Sequence, residues 1–524
     1  MNTVLESVKD YISKNTKVVS HGNTVFFEVP AAEIITVAKI LYSDTRCTLK
    51  LITATDEREE YGCFKIWYVF GAPGENILIV PFIQVTNKEE FPSLAPVIHG
   101  AWNYERKIQT FFGLRPIGHP DKRSIILHEN WPTKLFPLRK DFDWKMKPER
   151  AHGTYHFQKI NGEGIYQIPV GPIHAGIIEP GHFRFSVAGE EILLLEARLG
   201  FTHKGSEKIF ENISLSEKVH LSEKISGDSS LSHSLAFCQA VEQLGDVEVS
   251  RRVRYLRVIY AELERLAHHF ADIGEIMLDT GFSFGGSHGA RLREMIMQIN
   301  DRLTGSRFLR GVNIVGGVTK NITHKGKNEL MNDLKVILKD FSEVVEVAGD
   351  SVSLLNRLKG TGILSLGVAE DHGVVGVAAR AVGITRDTRV NHPYAGYDEI
   401  TVREIPIEQD GDVYARFCIR VKEVYESVRL IQHALHELPE GQIGVTRDIK
   451  LKKNSLAISC VEGWRGEIVY FITTNSHGNI SRVAPRDPSF INWAALGHAG
   501  IDNVVPDFPL INKSFNLSYS GNDL

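Results

Sequence analysis

The chain has 524 residues, 43% of them hydrophobic, and its 60 basic and 64 acidic residues leave a formal charge of -4. That length predicts two or more cores, and the near balance of charge excludes wholesale attraction to nucleic acid or to a membrane surface. No apolar run approaches the ~18 residues of a bilayer-spanning helix, and Met1 to Val19 lacks the apolar centre of a secretion signal, so the expectation is a cytoplasmic chain that meets membranes only through partners. Cys47, Cys63, Cys238, Cys418 and Cys460 include no C-x-x-C pair, which predicts reduced, mostly buried thiols.

In chain order, Thr24–Val29, Cys63–Phe70 and Ile77–Val80 are rich in β-branched and aromatic residues, as strands are, and Ala31 to Tyr42 reads as a helix between them. Residues 1–145 therefore form an α+β domain. Residues 146–166 are polar and glycine-containing and read as a linker. The remainder, 167–524, is expected to be mainly α. From Arg251 to Met277 the residues Val253, Leu256, Tyr260, Leu263, Leu266, Phe270, Ile273 and Met277 recur at helical spacing. Asn328–Leu358 and Val413–Leu435 repeat the pattern, which predicts a long-helix bundle with small β elements. On the first of these helices Arg251, Arg252, Arg254, Arg257, Glu262, Arg265, His268 and Asp272 share the other face, where a solvated stripe is the plainest reading. No phosphate-binding Gly-x-x-x-x-Gly-Lys-Ser/Thr, no His-Glu-x-x-His and no zinc-type array occurs, and the glycines near Gly285 and Gly360 lack a dinucleotide-binding context.

Several ordered motifs carry a resemblance. Tyr104-Glu105-Arg106-Lys107, Phe111-Phe112-Gly113-Leu114, Gly118-His119-Pro120-Asp121 and Pro137-Leu138-Arg139-Lys140-Asp141-Phe142 resemble the signature of the 30-kDa-type subunit of respiratory complex I. That subunit also occurs fused to the large subunit of membrane-bound group 4 nickel–iron hydrogenases. Taken alone, the stretch reads as a charged docking surface or a solvated loop. Ile168–His174 and Glu179–Phe185 resemble the entrance of the large subunit in its hydrogenase form, where His174 and His182 by themselves read as structural. His203-Lys204-Gly205-Ser206-Glu207-Lys208 follows, then Ala378–Ala381, Asn391–Tyr397, Gly411–Arg416, Glu462–Glu467 and Ala484–Phe490 in the family's order. From about residue 100 onward the chain is similar to the 49-kDa-type subunit of complex I and to the formate hydrogenlyase large-subunit family.

The resemblance implies roles residue by residue. Glu207 matches a glutamate that is a candidate proton-transfer group, a task that needs an acid raised toward neutrality by burial; the alternative is a surface carboxylate paired with Lys204 or Lys208. Nickel-holding relatives read Cys-Gly-x-Cys-x-x-x-His after the residue equivalent to Lys224, with a second C-x-x-C near the C-terminus. Here Ser226 and Ser229 take the first pair's positions ahead of His233, and Ser518 and Gly521 take the second's. Hydroxyls are hard, protonated donors and glycine offers none, so the expectation is no nickel–iron centre, no metal ligand in this chain, and no rescue by Cys238.

In complex I the equivalent cavity binds a quinone, and a tyrosine there falls on Gly227, which has no such group. Asp279 aligns with an acid beside the quinone site, and a turn aspartate before Gly281 is the competing reading. Arg380 aligns with an arginine that points at the metal's diatomic ligands, so it is expected to line an empty electropositive pocket. The family's helix arginines imply an approach to the iron–sulfur cluster of a small partner subunit. The resulting expectation is an oxidoreductase subunit at the cytoplasmic face of the membrane, contacting antiporter-like membrane subunits peripherally. It would pass electrons to a quinone or another acceptor at a cavity of Ser226, Gly227, Ser229, His233 and Ser518, with Glu207, Asp279 and Arg380 as chemical groups. The runner-up is a structural and coupling subunit whose cavity is closed.

Overall fold

The computed structural model describes residues 2–12, 18–86, 88–174, 178–444 and 449–524. In the N-terminal part, a five-stranded sheet runs in the spatial order Val19–His21, Thr24–Glu28, Leu78–Val85, Cys63–Gly71, Thr48–Glu57, with only the second and third strands parallel. Alternating side chains such as Val25, Phe27, Ile66, Tyr68 and Phe70 give it buried surface. The chain is helical from Ala31 to Asp44 through a tight first turn and a widened last one. The Trp102–Phe112 helix packs on the Thr48–Glu57 strand and ends on Gly113 in the left-handed region, at φ 74°, which glycine adopts without strain.

Between Gly118 and Gly164 there is no helix or strand, yet the segment is not a free tether. Arg123 and the Tyr155 hydroxyl both bind Glu196, at 2.5 and 2.8 Å, and His128 Nε2 lies 2.8 Å from the Leu199 carbonyl. The segment thus lies against the Glu191–Arg198 strand of a second, three-stranded sheet.

The centre of the C-terminal part is the Arg251–Asp279 helix, started by Ser250, whose side chain accepts from the Val253 amide. It packs against Ser283–Thr304 and Val413–His436. Gly274 and Gly289 touch backbone to backbone: a Cβ at Gly289 would lie 2.5 Å from Gly274 Cα. Gly285 and Gly286 face Met277 and Leu278 in the same contact, so the glycine run serves helix packing. The helix expected over Asn328–Leu358 is two: His324–Gly349, then Val352–Leu358, because Ser351 caps the second by accepting from Leu354. The charged face of the central helix is not a solvated stripe. Arg257, Glu262, Arg265 and Asp272 are buried and ion-paired inside the molecule.

A third sheet joins the two parts. Its strands Leu456–Gly463, Gly466–Thr474 and Ile480–Arg486 are antiparallel neighbours, buried almost throughout. Leu456, Ile458, Cys460, Val469, Phe471 and Ala484 face the N-terminal core, while Ala457, Val461, Ile468, Tyr470, Ile472 and Val483 face the helix core. The period-two pattern therefore places apolar residues on both faces, as in a sheet covered on each side. Rings cross the boundary: Trp67 and Phe471 lie 5.7 Å apart and Tyr104 and Phe490 5.1 Å apart. With about 1.5–3 kcal/mol for each fully buried large apolar side chain, this seam holds the parts as one body. All five cysteines are unpaired, and no helix among the described residues is long and apolar enough to cross a membrane.

Candidate functional site

Ser226-Gly227-Asp228-Ser229 forms a turn, closed by Ser229 N donating to Ser226 O at 3.0 Å, and the Ser230–Leu244 helix starts directly after it. Glu264 on the central helix fixes that helix start. Its carboxylate accepts from the Leu231 and Ser232 amides at 2.7 and 3.1 Å and from the Ser232 hydroxyl. Burial outweighs these bonds and pushes Glu264 up to about 7. At the other end of the chain, Ser518 caps Tyr519–Asp523 by accepting from Gly521 N at 2.9 Å, and its own amide donates to Ser489 Oγ at 2.9 Å.

The two turns touch. Ser226 Oγ stands 2.8 Å from Ser518 Oγ and 2.8 Å from Asp228 Oδ1, and both serines are buried. Arg465 fills the adjoining space. It sits at the tip of the two-residue hairpin between Gly463 and Gly466 and is 6% exposed. Its terminal nitrogens donate to both Asp228 oxygens at 2.7 Å, Nε donates to the Asn516 carbonyl, and Nη1 lies 3.5 Å from Ser226 Oγ. Burial would raise the Asp228 acid, but Arg465 prevails and holds it well below the ordinary carboxylate range. The guanidinium also lies 3.9 Å from the Trp464 ring, which stacks on His268 at 4.7 Å, and Trp464 Nε1 donates to Asp228 O at 3.0 Å. Burial takes His268 down to about 3, so that ring is neutral.

The structure does not fit a nickel–iron group here. The four positions that carry thiolates in relatives hold three hydroxyls and Gly521, and a Cβ at Gly521 would lie 2.6 Å from the Asp487 carboxyl carbon. A guanidinium, itself a cation, lies between the two turns. Among the described residues no three His, Cys, Asp or Glu side chains are grouped to hold a metal ion. Cys238 is buried, and burial pushes its thiol up, away from thiolate.

The other sequence-derived site residues go to different places. His233 is fully buried with both ring nitrogens engaged: Nε2 lies 3.0 Å from Asp487 Oδ2 and Nδ1 lies 3.1 Å from the Tyr470 hydroxyl. Neither is left for a ligand. Gly227 carries Arg310 on its carbonyl at 3.2 Å, and Ser229 is buried behind the turn. Arg380 does not line an empty pocket. It is fully buried and paired with Glu423 at 2.5 Å and Glu462 at 2.9 Å, with Asp387 3.8 Å away. Burial would lower its pKa, yet these carboxylates raise it. Arg389 and Arg265 join through Glu262, which their charges hold at about 2 against the effect of burial. Three arginines thus face four carboxyls, and Glu462, raised by burial and by Asp387, is the acid that holds a proton most readily.

Glu207 is neither a surface carboxylate nor an acid raised toward neutrality. It is buried and paired at 2.7 Å with Lys107 and at 2.7 Å with Arg482. Burial pulls it upward, but the two cations prevail and the net direction is down. Lys107 lies on the Trp102–Phe112 helix, so this pair also ties the N-terminal part to the rest. Asp279 ends the central helix and pairs with Lys513 at 2.6 Å. Sequence reasoning missed Arg465, Glu264 and Asp487. The available signal was an arginine between two glycines at a hairpin tip, within the Glu462–Glu467 motif already noted.

Comparison with known proteins matches these features to families. The family described as "Respiratory-chain NADH dehydrogenase, 30 Kd subunit" matches residues 27–148, and "Respiratory-chain NADH dehydrogenase, 49 Kd subunit" matches residues 279–456. The chain is 32% identical over 494 residues to formate hydrogenlyase subunit 5 of Escherichia coli (strain K12), covering 93% of this chain and 86% of the relative. It is 31% identical over 421 residues to the C/D subunit of the NADH-quinone oxidoreductase of Phocaeicola vulgatus, covering 76% and 80%. A subunit of the archaeal membrane-bound sulfane sulfur reductase shares the fold, with a TM-score of 0.65 at 24% identity over 69% of this chain and 99% of that one. The chain therefore belongs to the family of fused 30-kDa/49-kDa-type oxidoreductase subunits of complex I-like and membrane-bound hydrogenase-type complexes.

Proposed function

We propose that this chain is a metal-free coupling subunit of a membrane-associated, complex I-like oxidoreductase. In this reading electrons run along iron–sulfur clusters in a small partner subunit, antiporter-like membrane subunits contact the chain peripherally at the cytoplasmic face, and the chain transmits conformational change between them. The observation that carries the reading is the 2.8 Å contact between Ser226 and Ser518, with Arg465 bound to Asp228 beside it. A quinone or other acceptor seated between those serines would have to break that contact, and Gly227 offers it no phenol.

The test is to purify the native complex, measure nickel and iron, and assay reduction of quinones and of protons with wild type and a Ser226→Ala/Ser518→Ala double variant. The expected result is iron without nickel and acceptor reduction within about twofold of wild type in both KM and kcat, since a contact with no substrate role leaves transition-state binding unchanged. Nickel bound to this chain, or a KM for one acceptor that rises in the double variant, would contradict the proposal.

A further inference from the structure

A cavity of about 250 Å³ lies where the two parts meet, and none of the motif serines lines it. One wall carries Arg46, Lys50 and the Gly71-Ala72-Pro73-Gly74 turn from the N-terminal sheet; the other carries Arg386, Thr388 and His392. Three carboxylates also reach it, and each already has an ion-pair partner. Glu467 pairs with Lys50 and, at 2.5 Å, with Arg486; Asp387 pairs with Arg389 at 2.7 Å; Glu462 pairs with Arg380 at 2.9 Å. Arg46 and Arg386 have no ion-pair partner among the described residues, so two guanidiniums on this wall have no carboxylate within ion-pair distance.

His392 supplies a second, independent observation. It is 6% exposed, and its Nδ1 is buried with no hydrogen-bond partner among the described residues. Buried polar atoms of native proteins nearly always have a partner, and His392 lines this cavity, so its unmade bond points to a partner missing beside the cavity wall. Gly71 makes room for the ring: a Cβ there would lie 2.9 Å from His392 Nε2 and 2.1 Å from Lys50 Cε. Burial, then Lys50, hold His392 down to about 3, so the ring stays neutral and keeps one N–H to donate.

We propose that this cavity binds a small, doubly charged oxyanion, with Arg46 and Arg386 as counter-ions from the two parts of the chain and the His392 imidazole as the buried donor. Guanidinium groups suit the paired oxygens of phosphate and carboxylate. The volume is below the ~300–1,000 Å³ of pockets that hold drug-sized ligands, which limits the occupant to an ion of the size of phosphate or a short dicarboxylate. A bound anion would bridge the N-terminal sheet to the segment that carries the buried arginine cluster. Anion binding here does not depend on the closed serine contact, so the two proposals stand or fall separately.

The test is equilibrium dialysis of the full chain against labelled inorganic phosphate at ionic strength held constant with sodium chloride, with succinate as competitor. Saturable binding of one phosphate per chain is expected, and competition by succinate decides whether carboxylates share the site. Arg46→Ala and Arg386→Ala should each weaken binding by on the order of tenfold, the loss expected for one charge-assisted contact, while leaving the anion-free thermal midpoint unchanged. Arg386→Lys should retain part of the affinity. Absence of saturable binding for both anions, or wild-type affinity in both alanine variants, would overturn the proposal.

Discussion

Replacing Glu207 by glutamine separates a structural role from a proton-transfer role. The substitution keeps the size of the side chain and removes the charge that Lys107 and Arg482 share, each at 2.7 Å. The side chains of Glu207, Lys107 and Arg482 are 4%, 14% and 3% exposed, so water cannot replace the lost carboxylate. Breaking a buried pair costs about 3–5 kcal/mol, because it leaves uncompensated charge inside the protein. Lys107, whose pKa burial already lowers, can shed its proton, which favours the low end of that range. At roughly 2 °C per kcal/mol for a large chain, the thermal midpoint should fall by roughly 6–10 °C. The pH dependence follows from the depressed folded-state pKa of Glu207. Its contribution is fully present above the unfolded value of about 4.3 and is lost as pH falls through the folded value. The gap between wild type and variant, measured by differential scanning calorimetry, should therefore be constant from about pH 6 to 8 and close below about pH 4. A variant with an unchanged midpoint whose electron-transfer activity vanishes with a titration near neutrality would refute the structural role and restore the proton-transfer one.

Gly521→Cys places a side chain against Asp487 and should cost about 1–3 kcal/mol by overpacking, so adding Ser226→Cys, Ser229→Cys and Ser518→Cys should not create a stoichiometric nickel site; one tightly held nickel per chain would contradict this. Arg465→Ala and Asp228→Ala should be non-additive by about 1–3 kcal/mol in a double-mutant cycle read by denaturation, the lower part of the range reflecting an Asp228 side chain that is 35% exposed; a coupling below about 0.5 kcal/mol would mean the pair does not hold the turns together. Glu264, held near 7 in the fold, binds a proton that the unfolded chain releases above about 4.3, so it lowers stability as pH rises from 5 to 7. Glu264→Gln should thus gain stability relative to wild type over that interval, by up to about 3 kcal/mol, and a flat difference would refute the burial argument.

The helices were legible because apolar residues on Arg251–Asp279 and Val413–His436 repeat at three and four, and the break at Gly349 was missed because Ser351 marks it only through its cap. The pairing of the two vacated motifs was also legible, since Ser226 and Ser518 do meet. What the residues do there was not. A buried arginine and a solvated one look alike in a sequence, and the partners of Arg380 and Glu207 are far away along the chain, as with Arg380 and Glu462 or Glu207 and Arg482. The strands at Leu456–Arg486 carry apolar residues on both faces, which shows burial in the sequence without showing that each face belongs to a different core.

Closure of the family's metal position by protein is the feature on which the proposed coupling role depends. An electron cryo-microscopy map of the native complex during turnover, with its acceptor present, tests it most directly. The Ser226–Ser518 contact should be intact and the Arg465 guanidinium should lie on Asp228, with no added density between the two turns. A metal ion or a quinone headgroup resolved between Ser226 and Ser518 would contradict it.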